Sequence, residues 1–81
     1  MYKLTYANST YFMPLRKFDT FTEAAEEVAF LVKYEKTHIE SIHSPLVGAW
    51  DYYTPIGVFE IAPCDPDEPL GDLEVIQTET P

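Results

Sequence analysis

The sequence predicts an α+β fold in which one amphipathic helix packs on a short antiparallel or mixed sheet, in the order β-β-α-β-β. Residues 2–7 alternate between apolar and polar side chains, residues 20–36 carry apolar side chains at helical spacing, and residues 57–62 are again β-branched and apolar. A chain of 81 residues has room for one domain with one core. Two short strands would not be stable alone, so we expect the helix to cover one face of the sheet.

The first 18 residues predict a pair of strands. Tyr2, Leu4 and Tyr6 alternate with more polar residues, which is typical of a half-buried strand. Turn-forming residues follow at positions 8–10, and residues 11–18 are apolar enough for a second strand. Pro14 lacks an amide donor, which places this strand at a sheet edge or beside a bulge. We expect the two strands to pair as a hairpin.

A helix is predicted for residues 20–36. Thr20 and Glu23 have the spacing of a capping box, in which each side chain satisfies a backbone amide at the start of a helix. One apolar stripe then repeats at intervals of three and four residues, and it consists of Phe21, Ala24, Ala25, Val28, Leu31 and Val32. The opposite face holds Glu23, Glu26, Glu27, Phe30, Lys33 and Tyr34, of which Phe30 and Tyr34 are predicted to point outward.

The second half of the chain is predicted to alternate short strands with irregular segments. Residues 39–43 predict a strand that ends before Pro45, residues 44–56 a loop, and residues 57–62 another strand. A compact domain is therefore expected for residues 1–63, followed by an acidic, proline-punctuated segment at 64–81 that is irregular and solvated. Within that segment, residues 73–76 either form a final strand or remain a tail.

The charge of the chain is unevenly distributed. All five lysines and arginines lie in the first 36 residues, where five acids balance them, whereas the remaining residues carry nine acids and neither lysine nor arginine. The net charge of −9 therefore belongs to the second half. A segment that carries only negative charges is typical of a protein that binds a basic surface. Direct binding of nucleic acid is not expected, because its phosphates would be repelled.

No motif identifies a reaction, a cofactor or a metal. His38 and His43 would face opposite sides of an alternating strand, so we do not expect them to share a zinc ion with Cys64. Cys64 has no local signature of a nucleophile, and the three glycines are too dispersed for a phosphate loop. With one cysteine, no apolar run of membrane-spanning length and no secretory signal, we expect a non-enzymatic protein of the cytoplasm that does not enter a membrane.

The contact surface is predicted from the acids and the exposed aromatic residues. Trp50, Tyr52 and Tyr53 either cover the open sheet face or contact a partner, since tryptophan and tyrosine often anchor interfaces. The helix acids have an alternative role at the helix N-terminus, where the dipole favours anions, and the C-terminal acids have one in solubility. The predicted partner-binding residues are Glu23, Glu26, Glu27, Phe30, Tyr34, Trp50, Asp51, Tyr52, Tyr53, Asp65, Asp67 and Glu68.

In size, charge and element order, the chain resembles the small acidic proteins that phages encode to disable host machinery. Anti-CRISPR proteins, antirestriction DNA mimics and the podophage inhibitor of bacterial RNA polymerase belong to this group. The resemblance implies a stoichiometric inhibitor that blocks a basic, nucleic-acid-binding surface of a host defence or transcription enzyme in the host cytoplasm. The alternative is a small structural or assembly subunit that adds a strand to a larger complex.

Overall fold

A computed structural model describes residues 1–75 and confirms the α+β class. The described residues form β1 (Tyr2–Ala7), β2 (Tyr11–Phe18), α1 (Phe21–Tyr34), β3 (Ser41–His43), β4 (Trp50–Thr54), β5 (Gly57–Pro63) and β6 (Glu74–Val75). The strands make one antiparallel sheet in the order β3-β4-β5-β1-β2-β6. The first strand of the chain therefore lies inside the sheet, between β5 and β2.

The predicted hairpin of β1 and β2 is present. The side-chain oxygen of Asn8 accepts hydrogen bonds from the amides of Thr10 at 2.8 Å and Tyr11 at 2.9 Å, which closes the turn. The strand register shifts between Leu4 and Thr5, and Pro14 pairs with Thr5 at this bulge. The prediction that proline confines β2 to a bulge or an edge is confirmed, because a proline in a regular ladder would remove a hydrogen bond.

Helix α1 packs its apolar stripe on one face of the sheet, as predicted. The capping box is formed, since the Glu23 amide donates to Thr20 Oγ1 at 3.1 Å and the Thr20 amide donates to Glu23 Oε1 at 3.2 Å. Six buried residues make the core between helix and sheet: Leu4, Ala24, Val28, Val32, Phe59 and Ile61. Burying a side chain the size of Val28 contributes about 1.5–3 kcal/mol, so this stripe fixes the position of α1.

The prediction of a loop over residues 44–56 is wrong for its second half, which forms β4. Thr54 pairs with Gly57, so β4 and β5 are joined by a turn with Pro55 and Ile56 at its tip. The Thr54 hydroxyl donates to Gly57 O at 2.7 Å and accepts from the Ile56 amide at 3.2 Å. Pro55 therefore belongs to a tight turn between two strands, where its fixed φ is favourable, and does not mark a long loop.

Residues 64–73, called the strap below, cross the sheet face opposite α1 and lead to β6 at the far edge. The Cys64 amide donates to Met1 O at 2.9 Å. Lys3 donates to Glu68 Oε2 at 2.8 Å, and Lys17 donates to the carbonyl oxygens of Pro66, at 3.2 Å, and Glu68. The strap is irregular, as predicted, and its contacts attach it to the sheet.

For residues 73–76 the sequence left two possibilities, a final strand or a tail, and the two central residues form a strand. Glu74 and Val75 form β6 and pair with the first two residues of β2, whereas position 76 lies outside the described residues. In residues 1–75, no helix has the length and apolar character needed to cross a membrane.

Candidate contact surface

The outer face of α1 carries two exposed aromatic rings. The side chains of Phe30 and Tyr34 are 59% and 70% exposed. Their ring centroids are 6.1 Å apart and their planes differ by 28°, so the rings stack on each other one helical turn apart. The predicted outward orientation is confirmed. Large rings are usually buried in a folded domain, so an exposed, ordered pair indicates a surface suited to contact.

Three carboxylates lie beside these rings on the same helix. Glu26 and Glu27 precede Phe30 by four and three residues, which places them one turn away, and Glu23 lies one further turn towards the N-terminus. Glu23 is also used in the capping box. Within residues 1–75 none of the three forms an ion pair with lysine or arginine. This helix face, defined by Glu23, Glu26, Glu27, Phe30 and Tyr34, is called the α1 outer face.

The aromatic residues predicted for a loop instead alternate along β4. Trp50 and Tyr52 lie on the helix side of the sheet, where Trp50 meets the ring of Phe21 edge to face at 6.3 Å and remains 39% exposed. Tyr52 packs against the core, and burial raises the pKa of its phenol. Tyr52 therefore belongs to the core on the helix side and does not cover the open face of the sheet, and Trp50 lies at the rim of the core.

Asp51 and Tyr53 lie on the opposite side of β4. Tyr53 is 39% exposed and meets the ring of His43 edge to face at 5.0 Å. Asp51 stands between His43 on β3 and Glu60 on β5 in the strand register. The four consecutive residues Trp50 to Tyr53 therefore contribute to two different surfaces, because successive side chains of a strand point to opposite faces.

The pair of Asp51 and Glu60 is the feature that the sequence did not predict. Asp51 Oδ1 is buried and has no hydrogen-bond partner among the described residues. Burial raises the pKa of Glu60, and the hydrogen bond and negative charge of Asp51 raise it further, against a smaller opposing effect of Lys3. Only the register of β4 on β5 brings them together, so local sequence patterns gave no signal.

The residues weighed as metal ligands are dispersed. His38 precedes β3 and lies 3.8 Å from a carboxylate oxygen of Glu40, His43 lies within β3, and Cys64 begins the strap. Among residues 1–75, no three histidine, cysteine, aspartate or glutamate side chains are placed to hold a metal ion.

The acids of the strap lie on the face opposite the helix. Glu68 is ion-paired with Lys3, whose hydrogen bond is the main cause of a lowered pKa for the Glu68 carboxyl. Asp65 and Asp67 are exposed on the strap. Because the strap also contacts Lys17, two of the five cationic side chains of the chain face acidic residues of the same molecule.

The predicted contact residues therefore divide into two groups on opposite sides of the sheet. The group on the helix side contains the α1 outer face and Trp50, and the group on the other side contains Asp51, Tyr53 and the acids of the strap. One flat contact surface cannot include both groups. No family model, no curated protein and no solved structure matches this chain.

Proposed function

We propose that this chain is a non-enzymatic inhibitor that binds a basic, nucleic-acid-binding surface of another protein through the α1 outer face. The observation that carries the proposal is the exposed stack of Phe30 and Tyr34 beside three carboxylates. The rings supply apolar area whose burial slows dissociation. The carboxylates supply attraction that speeds association with a positively charged partner.

The overall charge supports the same class of partner. A net charge of −9 on 81 residues attracts a basic surface from a distance. The ion pair of Lys3 with Glu68 cancels one charge of each sign, and the exposed Asp65 and Asp67 on the strap remain available to attract such a partner. The exposed rings on α1 favour the helix side as the contact.

The target that fits this proposal is an enzyme that itself binds DNA or RNA, because such an enzyme has a large basic groove. The resemblance in size, charge and element order to phage inhibitors favours a defence or transcription enzyme in the cytoplasm of a bacterial host. Inhibition is then stoichiometric, since the inhibitor occupies the groove and prevents nucleic acid from entering it.

An affinity capture with matched baits tests the proposal. The baits are the wild-type chain, the double variant Phe30→Ala/Tyr34→Ala, and Tyr53→Ala, which removes an exposed ring from the other side of the sheet. Bacterial lysate is applied at about 0.1 M and about 1 M salt, between which the Debye length falls from roughly 10 Å to 3 Å. We expect a nucleic-acid-binding enzyme to be retained at low salt by wild type and Tyr53→Ala, and to be lost with the double variant.

The captured enzyme is then assayed for binding of its own nucleic acid. One equivalent of the wild-type chain should abolish that binding, and one equivalent of the double variant should leave it intact. Equal capture by all three baits, or undiminished nucleic-acid binding in the complex, would contradict the proposed function.

A second candidate function is strand addition, and the edge of the sheet at β3 favours it. In the described residues, β3 pairs only with β4, so its outer backbone groups are open to another strand. Ile42 is 52% exposed on β3, and Leu46 and Val47 in the following turn are 72% and fully exposed. An assembly subunit of this kind would bind through backbone hydrogen bonds. Its complex would resist high salt and survive the double variant on α1, which distinguishes it from the inhibitor.

A further inference from the structure

A crevice of about 200 Å³ lies between the C-terminal half of α1 and the helix side of the sheet. It opens near the two turns that join β1 to β2 and β4 to β5. Its lining is mainly apolar: the aromatic rings of Tyr6, Tyr11 and Phe59 lie beside aliphatic side chains that include Leu31 and Ile56, and there is one carboxylate, Glu35. It is separate from the α1 outer face, because Leu31 and Glu35 face the sheet side of the helix.

The rings stand at angles to one another. Tyr6 lies 4.9 Å from Phe59 with planes inclined at 46°, and 6.1 Å from Tyr11 with planes inclined at 56°. The hydroxyl of Tyr6 donates to the backbone oxygen of Ile56, which fixes the orientation of this central ring. Packing at these angles holds the rings in place, and the face of an aromatic ring attracts cations through its quadrupole.

The crevice also contains one carboxylate. Glu35 is the one charged residue among the described residues that line the crevice. It directly follows the last residue of α1, where the backbone carbonyls carry the negative end of the helix dipole. No lysine, arginine or histidine in residues 1–75 forms an ion pair with Glu35. An apolar crevice with a carboxylate at its edge is complementary to a cation that is itself largely apolar.

We propose that this crevice binds the methylated ammonium group of a small molecule of the size of choline. Such a group has no N–H donors, so aromatic and aliphatic side chains and one compensating carboxylate suffice to bind it, and residues of each kind line the crevice. A primary ammonium would bring three donors into a site with few acceptors and would lose more hydration. This inference does not rest on the proposed function, since the crevice and the α1 outer face share no residue.

The test is a titration of the full-length chain followed by amide NMR, with choline and its neutral isostere 3,3-dimethylbutan-1-ol as probes. We expect choline to shift the amide signals of Leu31, Glu35 and Ile56, and the alcohol to bind at least about fivefold more weakly because it lacks the charge. Glu35→Gln should weaken choline by a similar factor. Asp19→Asn removes the same charge at an exposed position beside the opposite end of α1 and should leave choline binding unchanged.

A second variant tests the aromatic part of the site without changing its charge. Tyr11→Leu removes a ring face and keeps an apolar side chain, so it should weaken choline and spare the alcohol. Equal affinity for the two probes, no effect of Glu35→Gln, or signal shifts confined to other parts of the chain would overturn the assignment. A peptide carrying trimethyllysine distinguishes the source of the group: binding comparable to choline supports a small-molecule site, and binding more than about tenfold tighter overturns it in favour of a protein side chain.

Discussion

The register of β4 on β5 places Glu60 in a partly buried position beside Asp51, which lowers the stability of the fold at neutral pH. Because the pKa of Glu60 is raised in the folded chain, the native state binds its proton more tightly than the unfolded state does. The contribution of protonated Glu60 to the free energy of unfolding is fully present below the ordinary glutamate pKa of 4.5. It is lost as the pH rises through the folded-state pKa of Glu60. At neutral pH the pair therefore destabilises the fold.

Replacement of the carboxyl tests this directly. Glu60→Gln should raise the melting temperature at pH 7 by about 2 °C or more, which a fraction of 1 kcal/mol produces in a domain of this size. The difference from wild type should shrink as the pH falls below 4.5, because Glu60 then becomes protonated in the unfolded state as well as in the folded state. Thermal melts by circular dichroism across this range give the comparison. Asp72→Asn, an exposed acid outside the pair, should show no such pH-dependent gain.

Two substitutions on α1 distinguish a residue needed for folding from a residue available for contact. Val28 is 1% exposed, so Val28→Asp places an unpaired charge in the core and should leave the chain unfolded at room temperature. Phe30→Ala should shift the melting temperature by no more than a few degrees, because more than half of this ring is already in water. A comparable loss of stability in both variants would mean that Phe30 supports the fold rather than the surface.

Among the elements, the turn between β4 and β5 depends on one glycine. Gly57 has a φ of +149°, and a Cβ at this position would lie 2.5 Å from the backbone oxygen of Ala7. Gly57→Ala should therefore cost about 2 kcal/mol or more, since the backbone of β1 must move as well. Gly71→Ala is the matched control, because its φ is also positive at +98° but its nearest neighbour is a side-chain atom at 3.6 Å. Chemical denaturation of both variants should show the larger loss for Gly57→Ala.

The strap depends on two lysines of the sheet. In the double variant Lys3→Met/Lys17→Met, amide hydrogen exchange at residues 65–68 should accelerate, because the contacts that attach the strap to the sheet are lost. Exchange in α1 should not change, and Lys36→Met, which removes a cation outside the strap, should have no effect. Lowering the pH should also accelerate amide hydrogen exchange in the strap. The pKa of Glu68 is lowered by Lys3, so its contribution is present above 4.5 and is lost as the pH falls below it.

The elements differ in how much of them the sequence predicts. The helix was predictable because its cap and its apolar stripe are local patterns, and the outward position of Phe30 and Tyr34 followed from the same spacing. Strand β4 was missed because Pro55 indicates irregular structure unless its turn is known to be tight. The pairing of Asp51 with Glu60 and the path of the strap depend on contacts between distant segments, which no local pattern contains.

At the scale of the whole molecule, charge should control how fast a partner binds. Raising the salt from about 0.01 M to 0.15 M shortens the Debye length from roughly 30 Å to 8 Å, so association with a basic partner should slow while dissociation changes little. Replacing Asp65 and Asp67 by asparagine should have the same effect on the association rate. Loss of the rings in Phe30→Ala/Tyr34→Ala should instead speed dissociation. Stopped-flow or surface-based kinetics separate the two rates, and rates indifferent to salt would contradict electrostatic steering.

The central place of β1 also governs the order in which the chain can fold. Its first residue, Tyr2, lies opposite Phe18 on one side and opposite Pro63 on the other. During synthesis, the hairpin of β1 and β2 and the helix can form early, but the second edge of β1 stays without a partner until β5 has been made. A contact between such distant positions closes slowly. Until β5 pairs with it, one edge of β1 exposes unpaired backbone groups, and the nascent chain is then prone to aggregate.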